Sequence, residues 1–223
     1  MSMSRVALGA LILTGLALYG CGQKPEFVAK PEPWRANEER SCLAGAGVRE
    51  SPFIAARAAL GGPGDVCGAI RPFEMSAADQ GRVLMRPSAT LRCEMLTPVD
   101  RWVREVVEPA AQRHMGSKLV ELKVAASYGC RPINHVSGAK LSEHGHANAL
   151  DISAFHLADG RKIDVKSGWY GDARQRAFLK DVHAGACQHF TTVLGPLADA
   201  NHRDHFHMDL AHHGRDGTYR ICK

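Results

Sequence analysis

Two short stretches of the sequence combine residue types that ligate transition metals. In the first, His144 stands seven residues before Asp151. The second, residues 204–207, contains His205 and His207, which would share one face of a β-strand. Two neutral imidazoles and one carboxylate suit zinc, and three protein ligands leave a fourth position for water, as in catalytic sites. The residues therefore predict a mononuclear Zn²⁺ site that combines His144, Asp151 and a histidine of the second stretch.

The predicted elements around these stretches are short strands and two helices. Periodicity predicts strands over Leu119–Ala126, Ala149–Phe155, Phe190–Leu194 and His205–Leu210. A carboxylate such as Asp151 at the start of a buried strand is costly unless it is paired or binds a metal. The mixture predicts an α+β fold with a small, mostly antiparallel sheet and flanking helices.

The two helices are placed by their capping residues. Thr97 is the predicted N-cap of the first helix, Pro98 occupies its first position, and Pro109 is expected to kink or end it. Asp172 is the predicted N-cap of the second helix. The region 42–93 is rich in Gly and Pro, so it is expected to depend on disulfides more than on regular structure.

The N-terminus has the pattern of an export signal. Arg5 precedes the apolar run Val6–Leu18, which is too short to span a bilayer stably. The run ends in Leu-Tyr-Gly before Cys21, which resembles the lipobox of bacterial lipoproteins. The resemblance implies a signal peptide over 1–20, a lipid on Cys21 and a periplasmic domain anchored to the membrane, with Gly22 implying the outer one. An ordinary secretory signal with an incidental cysteine is the alternative.

The rest of the chain divides into a tether and one domain. Residues 21–40 are rich in proline and charge and predict a stiff, exposed tether; residues 41–223 form the predicted domain. If Cys21 is lipidated, six of the seven cysteines remain. An even number in an oxidising compartment predicts three disulfides and leaves their pairing open. No Cys-x-x-Cys occurs, which disfavours thiolate zinc. The six cysteines are Cys42, Cys67, Cys93, Cys130, Cys187 and Cys222.

Composition excludes some classes of protein. Hydrophobic residues make up 45% and charged residues 23% of the chain, which fits a globular domain and not a disordered one. The net charge of +5 comes without a dense Lys/Arg run, so a nucleic-acid partner is not expected.

The first stretch resembles a known signature. Ser142-x-His144-x-x-Ala147-x-Ala149-x-Asp151 is similar to the Ser-x-His-x-x-Gly-x-Ala-x-Asp of zinc D-Ala-D-Ala carboxypeptidases, which are grouped with lysostaphin-type peptidases and the hedgehog domain. Ala147 replaces the usual Gly. The chain resembles the extensin-like C-terminal domain family of bacteria more closely still, from about residue 42 to the end. The sequence motifs that carry this resemblance are Cys-Arg-Pro at 130–132, Thr-Val-Leu-Gly-Pro at 192–196 and Asp-His-Phe-His at 204–207.

The resemblance implies roles for individual residues. It implies His144, Asp151 and His207 as zinc ligands within a hedgehog- and DD-peptidase-like fold. Asp204 would be the general base, and His205 would stabilise the oxyanion. Strand alternation alone favours His205 over Asp204, because Asp204 would face away unless the strand begins after it. Arg131 would bind a substrate carboxylate, and Tyr128 and Ser142 would hydrogen-bond substrate or ligands. The alternatives are a surface salt bridge for Arg131 and purely structural roles for Tyr128 and Ser142.

The function implied is that of a zinc peptidase or amidohydrolase acting on the peptide stems or crosslinks of peptidoglycan, similar to D-Ala-D-Ala carboxypeptidases and endopeptidases. One alternative is a zinc-stabilised module that binds the cell wall or a partner without turnover. A third is a disulfide-stapled structural lipoprotein with no metal.

Overall fold

The computed structural model describes residues 27–29, 32–45, 48–62 and 65–223. The predicted signal peptide, residues 1–20, and the predicted lipidation site, Cys21, lie outside the described residues. Within the described part of the chain, no helix is long and apolar enough to cross a membrane.

One twisted sheet of nine strands forms the centre of the domain, in the order β1-β2-β3-β4-β5-β8-β7-β9, with β6 pairing β5. Most neighbours are antiparallel; β3–β4 and β7–β9 are parallel. This confirms the predicted α+β class and mostly antiparallel sheet. The strands are β1 (Ile54–Ala56), β2 (Phe73–Ala78), β3 (Val83–Leu91), β4 (Leu119–Ala126), β5 (Ala149–Leu157), β6 (Lys162–Asp164), β7 (Thr192–Leu194), β8 (Phe206–Asp209) and β9 (Ile221–Cys222).

The helices are α1 (Pro33–Ala44), α2 (Cys93–Trp102), α3 (Glu108–Ala110), α4 (Val165–Gly168) and α5 (Ala173–His189). Asp172 caps α5 as predicted, because its carboxylate accepts hydrogen bonds from the backbone N–H of Arg174 and Gln175. α2 and α5 pack against each other, and the Trp102 indole N–H donates to the carbonyl of Val182 at 3.1 Å. Trp102 meets Phe155 and Phe190 edge-on in the core beneath the sheet.

The first predicted helix begins and ends elsewhere than expected. It starts at Cys93, so Pro98 lies inside α2 and Thr97 is not its N-cap. Burial of Met95 and Leu96 extends the apolar face ahead of the proline, and this packing outweighs the lost backbone donor. Nor does the helix stop at Pro109: π-helical turns lie on both sides of α3, and the helix reaches Met115 before Gly116 ends it in a left-handed conformation.

The predicted tether is partly wrong, because its second half is the helix α1 and not an exposed linker. Glu39 on α1 is buried and lies 3.8 Å from the buried guanidinium of Arg92. Ahead of the helix, Val28 pairs with the chain beside Lys140: its N–H donates to Ala139 at 2.9 Å, and its carbonyl accepts from Leu141 at 3.0 Å. The domain therefore includes chain that precedes residue 41.

Three disulfides form among the six cysteines, as the count predicted. They join Cys42 to Cys93, Cys67 to Cys130, and Cys187 to Cys222. The first ties α1 to the start of α2, and the third ties α5 to β9. Region 42–93 was expected to be largely irregular, but β1, β2 and β3 all lie within it, and this makes the sheet larger than predicted.

Candidate metal centre

The three predicted ligands converge in the structure. The Nε2 of His144 lies 3.1 Å from Oδ2 of Asp151 and 3.2 Å from Nδ1 of His207. The Nδ1 of His207 lies 2.9 Å from Oδ1 of Asp151. All three residues are buried, with exposed fractions of 1%, 4% and 8%. Two distant parts of the chain thus present three donor atoms to one point.

Strand register brings Asp151 and His207 together. They are directly opposed residues of the antiparallel pair β5–β8, and side chains of opposed residues are nearest neighbours. Along β8, His207 and Asp209 face the cavity, whereas Phe206 and Met208 belong to the core. Alternation along β8 therefore places the candidate site residues on one face of the strand and the core residues on the other.

His144 is placed by a tight turn just before β5. It lies in the 3-10 turn Glu143–His146, and Ser142 caps this turn by accepting from the N–H of His144 at 3.4 Å. The turn ends at Ala147, which has φ +51° and no exposed surface. This is a left-handed backbone conformation, which glycine adopts at lower cost than alanine. In the described structure Ser142, predicted to contact substrate or ligands, serves as the cap.

Each imidazole is oriented by a second hydrogen bond. The Nδ1 of His144 donates to the carbonyl oxygen of Ser127, so Nε2 faces the centre. The Nε2 of His207 lies 2.8 Å from Oδ2 of Asp209, so Nδ1 faces the centre. Asp209 was not predicted as part of the site. Its position two residues after His207 on a predicted strand was the available signal, because it puts both side chains on one face.

Opposing effects of burial and pairing set the charges of this cluster. Burial raises the pKa of the Asp151 carboxyl, but hydrogen bonds to His144 and His207 hold that pKa well below its usual range. Burial also raises the pKa of Asp209, and its contact with His207 outweighs this and lowers it. For His207, burial lowers the pKa, and the two carboxylates outweigh burial and raise the pKa to about 10. Two ionised carboxylates therefore favour a positive charge between them, and without a metal the protonated ring of His207 supplies that charge.

The donor set fits a tetrahedral zinc ion. Zinc–nitrogen and zinc–oxygen distances of about 2.0–2.1 Å at tetrahedral angles place ligand atoms about 3.3 Å apart. The observed separations of 2.9, 3.1 and 3.2 Å are close to that value. A second group, His183 with Cys187 and Cys222, also brings three donor atoms together. Its two sulfurs form a disulfide and are not available as thiolates.

Two further histidines stand beside the cluster, each held by an aspartate. The Nδ1 of His205 lies 2.9 Å from Asp204, and its Nε2 lies 3.7 Å from Oδ2 of Asp151. The Nδ1 of His202, a residue not predicted as functional, lies 2.8 Å from Asp199. Both imidazoles line the cavity. The Asp204 side chain is 59% exposed and lies behind His205, outside the cavity lining.

The cluster forms the floor of a cavity of about 580 Å³. Arg131 and Lys140 line it, and neither side chain makes a hydrogen bond or ion pair with another residue of the described structure. Arg131, a predicted carboxylate-binding residue, thus lines the same cavity as the three candidate ligands. Tyr128, also predicted to contact substrate, is half-buried and does not line the cavity.

The N-terminal helix builds part of the cavity wall. Arg35 of α1 holds the carboxylate of Glu143 with two nitrogens, one of them at 2.6 Å. Glu143 also accepts from the side-chain amide of Asn148 at 2.6 Å. Since Glu143 precedes His144, α1 braces the turn that carries this ligand.

The family model described as extensin-like protein C-terminus matches residues 40–223 of this chain. The matched range contains all three candidate ligands and every cysteine of the three disulfides. No match to the chain was found among the curated proteins or among the solved structures.

Proposed function

The chain belongs to the family of extensin-like protein C-termini, and from that premise we propose that it is a zinc-dependent peptidase or amidohydrolase. Its proposed substrates are the peptide stems or crosslinks of peptidoglycan. The observation that carries the proposal is the convergence of His144, Asp151 and His207 at the floor of an open cavity. The proposal includes a relation to the zinc D-Ala-D-Ala carboxypeptidases, which the signature around His144 suggests.

His144 Nε2, an Asp151 oxygen and His207 Nδ1 would hold the ion, and three protein ligands are the usual number in catalytic zinc sites. When bound, zinc supplies a Lewis acid that polarises a peptide carbonyl and makes water acidic enough to attack it near neutral pH. The three candidate ligands are buried, with exposed fractions of 8% or less, and burial strengthens electrostatic interactions at this point.

His205 is the best-placed residue to move the proton. Its Nε2 is next to the ligand set, 3.7 Å from an oxygen of Asp151, and the Asp204 carboxylate holds the opposite nitrogen. In the proposal, Nε2 accepts the proton of the attacking water and returns it to the departing amine. Asp204, predicted from sequence as the base, then acts as the positioning residue that fixes the tautomer of His205.

Arg131 and Lys140 supply the charge for substrate binding. Peptide stems carry carboxylates, and a guanidinium can hold one with two parallel hydrogen bonds. A cavity of about 580 Å³ is within the usual size range for small-ligand sites, roughly 300–1,000 Å³. It could accept a few residues of a peptide.

We further propose that the domain is periplasmic and held at the outer membrane by a lipid on Cys21. The motif that ends in Cys21 suggests the lipid. Three disulfides suit an exported protein, because such bonds persist in oxidising compartments.

The test is cleavage of purified peptidoglycan by the full-length chain loaded with zinc, followed by mass spectrometry of the released fragments and labelling of new amine termini. His205→Gln should lower the rate about 10²–10⁴-fold at unchanged zinc content. His114→Gln is the matched control, because His114 is paired to Asp181 at 2.7 Å and does not line the cavity. It should cleave like the wild type.

Two outcomes would overturn the proposal. A zinc-loaded chain that cleaves no bond in a panel of stem peptides and crosslinked fragments is not a peptidase of this class. If such a chain still binds the fragments, and Asp204→Ala binds them equally well, the domain is the non-catalytic wall-binding module.

A further inference from the structure

We propose that Asp209 is a positioning residue that selects which nitrogen of His207 is free to bind the metal. The inference rests on the metal site of the proposed function and deepens it. It concerns a carboxylate that lies outside the ligand set.

A hydrogen bond to Asp209 fixes the proton on the far side of the His207 ring. Oδ2 of Asp209 lies 2.8 Å from Nε2 of His207. An ionised carboxylate only accepts hydrogen bonds, so Nε2 must carry a hydrogen. In a metal-bound neutral imidazole the lone pair is then on Nδ1, the nitrogen that faces His144 and Asp151.

The carboxylate is itself held firmly. Asp209 is 4% exposed, and its Oδ1 accepts from the backbone N–H of Ala211 at 2.9 Å. It ends β8 between two strands, opposite Ala149 on β5 and Thr192 on β7. A buried carboxylate with fixed partners on both oxygens has little freedom to turn away from His207.

The two ligating histidines are oriented in opposite senses by different groups. His144 donates through Nδ1 to the carbonyl of Ser127 and presents Nε2. His207 donates through Nε2 to Asp209 and presents Nδ1. Outer hydrogen bonds of this kind fix the tautomer and orientation of metal-binding histidines. The backbone oxygen cannot be removed by substitution, but the carboxylate can.

Asp209→Asn tests the assignment because the amide cannot satisfy both neighbours. If its oxygen accepts from Ala211, its NH₂ points at Nε2 of His207 and favours the tautomer with hydrogen on Nδ1, which blocks the metal. If the amide turns over, its NH₂ meets the N–H of Ala211, and two donors face each other. Either arrangement should weaken zinc binding about 10–100-fold.

The experiment measures zinc affinity of the full-length chain by competition with a chromophoric chelator. Asp199→Asn is the matched control: it removes one negative charge from the same cavity and one carboxylate–histidine contact, 2.8 Å from His202. Its affinity should stay within about threefold of wild type, because no proposed ligand depends on Asp199. Nitrogen-15 NMR of the zinc-loaded wild type should show hydrogen on Nε2 of His207 and none on Nδ1.

The outcomes separate this inference from the proposed function. If Asp209→Asn binds zinc as tightly as the control variant, or if the NMR spectrum shows His207 bound through Nε2, the positioning role is overturned and the metal site stands. A wild-type chain that binds no zinc overturns both. If Asp209→Asn does not fold, the NMR measurement on the wild type still decides the assignment.

Discussion

Replacing Arg35 by methionine should destabilise the domain, although Arg35 lies in a segment that the sequence marked as a tether. The guanidinium holds both oxygens of Glu143, and the two side chains are only 11% and 15% exposed. Methionine keeps the length and the apolar stem, so the variant removes mainly the charge and its hydrogen bonds.

The expected loss follows from the burial of the pair. Removing one partner of a fully buried ion pair costs about 3–5 kcal/mol, and hydrogen bonds to charged groups contribute about 1.5–3 kcal/mol. Partial exposure and the remaining contact of Glu143 with Asn148 reduce the loss. We therefore expect about 2–3 kcal/mol, which corresponds to a fall in Tm of about 4–12 °C for a domain of this size.

The assay is equilibrium unfolding by guanidinium chloride in the presence of a chelator, with disulfides intact. Arg57→Met is the matched control: Arg57 pairs with Glu74, but the side chains are 53% and 35% exposed. Exposed pairs contribute about 0–1 kcal/mol, so its effect should be small. If Arg35→Met loses no more stability than Arg57→Met, α1 does not brace the site in the way described.

Three further predictions follow from other parts of the structure. Ala147→Gly should change the free energy of unfolding by less than about 1 kcal/mol, because relief of the left-handed backbone offsets the lost methyl burial; Ala154→Gly, a buried strand position, should lose about 1–2 kcal/mol in the same denaturation assay. Burial lowers the pKa of His183, and this outweighs the effect of its hydrogen bond to the carbonyl of Lys223. The unfolded chain therefore binds a proton at His183 more readily than the folded one, so the free energy of unfolding falls as the pH drops below about 6.5. His183→Gln should make the fall between pH 7 and pH 5 smaller in thermal unfolding, and an unchanged pH profile would contradict this. Chelation of zinc should lower the unfolding free energy by about 4 kcal/mol if free zinc was at 1,000 times its Kd, and calorimetry that shows no shift in Tm would refute a bound metal.

Much of the ligand set could be predicted because residue type and strand period both carry the signal. Asp151 and His207 lie on strands whose alternation is visible in the sequence, and register makes them neighbours. Asp209 was not predicted, because the spacing of candidate ligands does not indicate which residue orients them. Strand alternation alone favoured His205 over Asp204, and Asp204 does lie outside the cavity lining whereas His205 lies within it. The role of base was assigned to Asp204 from the resemblance.

The fold was predictable where apolar periodicity was strong and not where ionic contacts hold an element. α5 was placed by its cap, Asp172, and its buried stripe. α1 has no such stripe. It is held instead by the ion pair of Arg35, by the buried Glu39 and by the disulfide from Cys42. Contacts of this kind join residues far apart in the chain, and no local pattern reveals them.

The pairing of Val28 beside Lys140 has a consequence for where the protein can work. Val28 lines the cavity, and only seven peptide steps separate it from Cys21. A covalent chain of that length spans at most about 24 Å. If Cys21 carries the proposed acyl group, a segment of this length would hold the cavity close to the bilayer surface. The proposed peptidase would then reach only those wall strands that approach the lipid headgroups. Insertion of residues between Cys21 and Val28, without any change to the cavity, would let the domain act farther from the bilayer.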